Sequence, residues 1–161
     1  MNSFFIFGAK YLYLLVPLIA MVHFLWQSKE TQKKMLIFAI IALPLAYLVA
    51  KFVGYFYYDP RPFVQGNFIP LIPHAPDNGF PSDHMLFVSA IAATWWYFNR
   101  RISFVLWTIA TLVGISRIGV GVHHPIDIIG SVVIAMLCAA ITPKIIHFFH
   151  NHIKSNPAKS N

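Results

Sequence analysis

Five stretches of this chain are apolar enough, and close enough to twenty residues long, to cross a lipid bilayer as helices: roughly residues 4–26, 35–58, 82–98, 102–122 and 126–149. The hydrocarbon core is about 30 Å thick and each helical residue rises about 1.5 Å, so about 20 apolar residues span it. Within lipid every backbone polar group must be paired inside the segment or inside a closed barrel. The expected fold class is therefore all-α, an integral membrane bundle of about five transmembrane helices. Composition points the same way. Only 11% of the residues are charged and 58% are hydrophobic, whereas a soluble domain uses about 25% charged residues to cover its surface. The first stretch lacks a basic leading region and a small-residue cleavage site before Gln27, so it is expected to stay as a spanning helix. One domain is expected over residues 1–154, followed by a polar tail at 155–161.

The charges that remain are unevenly placed. There are 12 Lys and Arg against 5 Asp and Glu, an excess that on a soluble surface would suggest nucleic acid. In a membrane chain basic residues report orientation first, and no nucleic-acid partner is expected; the partner is the bilayer itself. Lys29, Lys33 and Lys34, then Arg100 and Arg101, then Lys144, Lys154 and Lys159 all fall on one side if the chain crosses five times. The positive-inside rule makes that side cytoplasmic and leaves the connections around 59–81 and 117–125 outside. The lone Cys138 excludes an intrachain disulfide and a thiolate metal site. Tyr55, Tyr57, Tyr58, Trp95, Trp96 and Tyr97 sit near helix ends and read as interfacial anchors.

The outer face gathers Asp59, Arg61, Ser82, Asp83, His84, Ser116, Arg117, His123, His124 and Asp127 from three separate helix ends. An ionisable group costs about 2.5–3.5 kcal/mol at the centre of a spanning helix, so function is the default reading of such a set. A single arginine there is as readily a headgroup anchor. Convergence of the whole set is not explained that way.

Pro125 suits the first position of a helix, which makes His124 the cap and Asp127 the third helical residue. An acid in that place reaches back to an imidazole just before the helix. It fixes the tautomer through one ring nitrogen and leaves the other as a nucleophile. Either His123 or His124 satisfies this geometry. A second helix start reads Gly79-Phe80-Pro81-Ser82-Asp83-His84. Its free N–H groups suit phosphate oxygens, and His84 is placed to donate a proton. Arg61 and Arg117 supply planar forks that match a phosphoryl group. Together these parts describe phosphoryl transfer.

The same residues resemble the type 2 phosphatidic acid phosphatase (PAP2) superfamily, whose pattern is K-x6-RP, then PSGH, then SR-x5-H-x3-D. The third motif is complete as Ser116-Arg117, five residues, His123, three residues, Asp127. The second is Pro81-Ser82-Asp83-His84, with Asp where most members have Gly, a variant associated with undecaprenyl-diphosphatases of the bacitracin-resistance type. The first is partial: Arg61-Pro62 is present, but Gly54 occupies the lysine position and Lys51 lies three residues earlier. The resemblance implies that His123 attacks phosphorus, Asp127 orients it and His84 protonates the leaving oxygen. It implies further that Arg61, Arg117 and the backbone around Ser82 hold the phosphoryl oxygens, with Lys51 and Ser116 as additional candidates. No metal and no cofactor are expected.

The expected substrate is a membrane lipid phosphate, undecaprenyl diphosphate first, with phosphatidylglycerophosphate and phosphatidic acid as alternatives. The expected setting is multi-pass in the bacterial inner membrane, with the site facing outside the cytoplasm. Competing readings are a metal site built from His84, His123, His124 and Asp127, a haem protein using the eight histidines, and a non-catalytic lipid-binding subunit.

Overall fold

A computed structural model describes residues 2–155. The helices are α1 (Asn2–Tyr11), α2 (Leu15–Leu25), α3 (Lys29–Phe56), α4 (Pro62–Gln65), α5 (Asp83–Trp95), α6 (Arg100–Gly119) and α7 (Pro125–Ser155). A single 3₁₀ turn, Leu12–Leu14, joins α1 to α2, and the two run on as one apolar rod over Asn2–Leu25. Among the described residues there is no β-strand, only an isolated antiparallel bridge between Pro60 and Asn78. The polar tail expected at 155–161 lies, beyond Ser155, outside the described residues.

Helix boundaries follow local capping chemistry. Ser28 caps α3, its Oγ accepting from Thr31 N at 3.3 Å, and Glu30 pairs with Lys34 at 2.7 Å one turn on. Asn99 caps α6, its side-chain oxygen accepting from the N–H groups of Arg101 and Ile102, each at 3.1 Å. Pro125 opens α7 as its first residue. Close approach between helices comes from small residues at helical spacing: Ala42, Ala46 and Ala50 form the buried stripe of α3. Ala46 and Ala50 pack with Leu86, Ala90, Ala135 and Cys138 of α5 and α7. In lipid, such van der Waals contact between helices replaces the hydrophobic drive available in water.

Among the described residues four helical segments are long and apolar enough to cross a membrane: Asn2–Leu25, Lys29–Phe56, Arg100–Gly119 and Pro125–His152. The fifth expected crossing, over 82–98, is shorter than its apolar stretch suggests. Helix α5 has thirteen residues, about 20 Å at 1.5 Å per residue, because the chain turns away at 96–98 before Asn99 caps α6. Ten of those residues are buried, against α2, α3, α6 and α7. The central helix is solvated by protein, so it has no need to match the bilayer thickness.

The two ends of the bundle differ in chemistry. At one end Trp95 Nε1 of α5 donates to His23 Nδ1 of α2 at 3.1 Å, and Phe38, Phe98 and Ile146 pack together. The starts of α3 and α6, which carry Lys29, Lys33, Lys34, Arg100 and Arg101, belong to this end. At the other end the 57–82 connection meets the turn between α6 and α7, with Leu71 N donating to Val120 O at 3.1 Å and Arg61 bonded to Val122 O at 2.9 Å.

Candidate active site

The start of α7 builds the first half of the site. With His124 as cap and Asp127 as the third helical residue, the acid folds back on its own cap, and its Oδ2 accepts from His124 N at 2.9 Å. The same oxygen lies 3.1 Å from Nδ1 of His123. That contact places the Nδ1 proton toward Asp127 and leaves the lone pair on Nε2. His124 offers Asp127 only its backbone. The turn delivering His123 passes through Gly121, whose φ of +79° is in the left-handed region where a Cβ is strained.

Two arginines converge on the free nitrogen. NH1 of Arg61 is 3.3 Å from His123 Nε2, and NH2 of Arg117 is 3.4 Å from it. Arg61 is anchored on its other sides: Nε donates to Asp77 Oδ1 at 2.8 Å, NH1 to Val122 O at 2.9 Å and NH2 to Asn78 O at 3.3 Å. Arg117 is 3% exposed, makes no ion pair with an acid among the described residues, and leaves Nε without a partner. Burial first, then the positive charges of Arg117 and Arg61, push the His123 pKa down to about 2. The imidazole is therefore neutral, as a nucleophile must be.

The start of α5 closes the site. Asn78 holds the approach: Oδ1 accepts from Asp59 N at 2.9 Å and Phe80 N at 3.0 Å, and Nδ2 donates to Gly54 O and Tyr57 O at 2.9 Å each. Ser82 N donates to Asp127 O at 3.4 Å, while Ser131 Oγ donates between Ser82 O and Asp127 O at 3.0 and 2.7 Å, tying the α5 and α7 starts together. The Ser82 hydroxyl is buried with no partner. His84 is partly buried and lies edge-on against Tyr13, ring centroids 4.7 Å apart. Tyr13 is in the 3₁₀ turn between α1 and α2, so that break in the helix presents the ring to His84.

Two candidates stand apart from the cluster. Lys51 Nζ pairs with Asp83 Oδ1 at 3.3 Å, both side chains more than half exposed. The two departures from the family motifs are thus partners of one another. At position 54 a Cβ would lie 3.0 Å from Phe80 O, which leaves a lysine there crowded against backbone. Ser116 Oγ is buried against Gly8 of α1, in contact between α1 and α6, and makes no hydrogen bond. Among the described residues no three His, Cys, Asp or Glu side chains are grouped as metal ligands.

A neutral imidazole oriented by a carboxylate, its free nitrogen under two guanidinium groups, is an arrangement for receiving a phosphoryl group. Residues 33–150 match the PAP2 superfamily. The chain belongs to that superfamily. It is 36% identical over 140 residues to the undecaprenyl-diphosphatase BcrC of Bacillus subtilis strain 168, covering 85% of this chain and 70% of the relative. It is 34% identical over 139 residues to the putative undecaprenyl-diphosphatase YbjG of Escherichia coli K12, covering 85% and 69%. Its fold is similar to the crystal structure of Aquifex aeolicus LpxE, with a TM-score of 0.67 and 26% identity over 88% of this chain and 82% of LpxE. This PAP2 member is a multi-pass membrane phosphoric ester hydrolase that acts on lipid phosphates.

Sequence reasoning placed Arg61, Ser82, His84, Arg117, His123 and Asp127 in one PAP2 site, and the fold brings them to one end of the bundle. It passed over Tyr13 and Asn78. Neither had a legible signal, because an isolated tyrosine and an Asn in a loop carry no motif. Asp77 accepts from Arg61 Nε and so helps hold that side chain against His123.

Proposed function

We propose that this chain hydrolyses a polyprenyl diphosphate, undecaprenyl diphosphate above others, to the monophosphate and inorganic phosphate at the extracytoplasmic face of a bacterial inner membrane. Residues 1–154 act as one catalytic unit in this reading. The observation that carries the mechanism is His123 Nε2, flanked by Arg61 and Arg117. The lone pair of Nε2 attacks the terminal phosphorus as the bond to the bridging oxygen breaks. His84 gives the leaving lipid phosphate its proton. Asp127 keeps the Nδ1 proton in place and offsets the positive charge that the phosphorylated ring carries. Water then attacks phosphorus, His84 takes its proton, and the N–P bond breaks to release phosphate and restore His123.

Arg61, Arg117 and the first N–H groups of α5, which have no intrahelical partner, hold the non-bridging oxygens, with the Ser82 hydroxyl beside them. Lys51, paired with Asp83 at the rim, meets the outer phosphate as it enters. Ser116 is assigned to helix packing. Two things support the substrate: the undecaprenyl-diphosphatase relatives, and the PSDH form of the second motif. The outward face is supported by the five basic residues at the starts of α3 and α6, which lie at the end opposite His123.

The test is phosphate release from a purified lipid diphosphate, with and without chelator, by the wild type and two variants. His123→Ala is expected to abolish turnover and phosphoenzyme formation, while His124→Ala keeps a substantial fraction. Equal loss in both, or retention in His123→Ala, would remove His123 as nucleophile.

A further inference from the structure

Asp59 is one of five acidic residues in the chain and takes no part in the mechanism above. It is nevertheless buried, 9% exposed, beside Asp127, which is wholly buried. Its backbone is held on both sides: Asp59 N donates to Asn78 Oδ1 at 2.9 Å, and Asp59 O accepts from Gly79 N at 2.8 Å. Gly79 lies against both residues: a Cβ there would stand 3.0 Å from Asp127 Oδ2 and 3.1 Å from the backbone oxygen of Asp59. Each acid keeps one buried side-chain oxygen without a hydrogen-bond partner, Asp59 Oδ2 and Asp127 Oδ1. As a pair of carboxylates they would have no donor between them, and Asp59 Oδ2 and Asp127 Oδ1 would each be a buried acceptor without a partner. Like charges in one buried site also repel strongly. A single proton converts that contact into a charge-assisted hydrogen bond and satisfies both orphaned oxygens.

We propose that Asp59 is a positioning residue of this phosphatase: as a carboxylic acid it donates to Asp127 Oδ1, holding Asp127 as a single anion with Oδ2 aimed at His123 Nδ1 and the His124 N–H. This rests on the reading of His123 as nucleophile. It extends the pair into a chain, His123 to Asp127 to Asp59, whose far end comes from the α3–α4 connection. Burial first, and then the Asp127 charge, raise the Asp59 pKa; His124 and His123 oppose the rise. Those three residues are the titratable groups that face Asp59, while Arg61, two residues on, is turned to Asp77 and Val122 O. An amide at position 59 has an N–H to donate in place of the acid O–H. A methyl group has none.

The experiment compares wild type, Asp59→Asn and Asp59→Ala by phosphate release and by infrared spectroscopy at neutral pH. Loss of a hydrogen bond to a charged group corresponds to about tenfold to a hundredfold in rate. Asp59→Ala should fall by that factor in kcat with little change in KM, and Asp59→Asn should recover most of it. The infrared spectrum of the wild type should contain a protonated carboxylic acid band that Asp59→Asn lacks. That band is readable because the other three acids, Glu30, Asp77 and Asp83, have side chains 78%, 63% and 69% exposed. Wild-type activity in Asp59→Ala, equal loss in both variants, or a missing band would each overturn the proposal. If Asp59→Ala does not fold, Asp59→Asn and the band decide. Failure of the nucleophile reading is distinguishable, since it shows as turnover surviving in His123→Ala.

Discussion

Replacing Arg117 by methionine should make the protein more stable and nearly inactive. The side chain is 3% exposed, has no acidic partner among the described residues, and leaves Nε unbonded. Its contact with His123 Nε2 is long, 3.4 Å, to an atom that another guanidinium already approaches. A buried donor without a partner costs about 1–3 kcal/mol, and more when charged. Methionine keeps much of the length and packs without that cost. A gain of about 1–3 kcal/mol follows, and at about 2–4 °C per kcal/mol in a chain of this size the melting temperature rises by roughly 2–12 °C. The activity runs the other way. In the proposed mechanism the guanidinium meets charge on the phosphoryl group, and loss of one preorganised donor lowers kcat by about 10²–10³. Thermal unfolding in detergent and phosphate release from a lipid diphosphate, on the same preparation, read both. A variant that melts lower would show that Arg117 holds the fold together. Unchanged turnover would take it out of the phosphate site.

Lys51→Ala should weaken substrate use measurably but less than Arg61→Ala, because Lys51 is at an exposed ion pair and Arg61 is buried against His123; kcat/KM for both variants checks the order. Asn78→Ala removes four hydrogen bonds that hold the 57–80 connection and should cost about 2–4 kcal/mol, read as a lower melting temperature. Stability should fall as pH drops below about 6.5, because the unfolded His123 takes up a proton there while the folded ring, with its pKa pushed down to about 2, does not. His123→Gln should flatten that slope between pH 7 and 4. A tag placed after Asn161 should resist external protease in intact cells; ready cleavage would reverse the orientation and the outward site with it.

Much of the site was legible because it is local. His123 and Asp127 are four residues apart across a helix start, so proline placement and capping geometry brought them together before any tertiary contact was known. The choice between His123 and His124 was not local. It came from motif spacing; in the fold Asp127 Oδ2 contacts the ring of His123 and only the backbone of His124. Arg61 reaches His123 from 62 positions away, a contact that residue type suggested and only packing brings about.

The apolar runs by themselves determined an all-helical membrane bundle, since lipid leaves the backbone no other way to pair its polar groups in segments of that length. The orientation expected for it came from the basic residues beside those runs, because that signal is carried by charge along the chain. Tertiary structure decided what depends on neighbours distant in sequence. It made α5 a short helix enclosed by protein, set Ser116 against Gly8, joined Lys51 to Asp83, and placed Asp59 beside Asp127. Periodicity and capping act over a few residues and can be read from them. The partner of a buried charge is chosen by whichever helix end the packing delivers, and no short stretch of sequence contains that information.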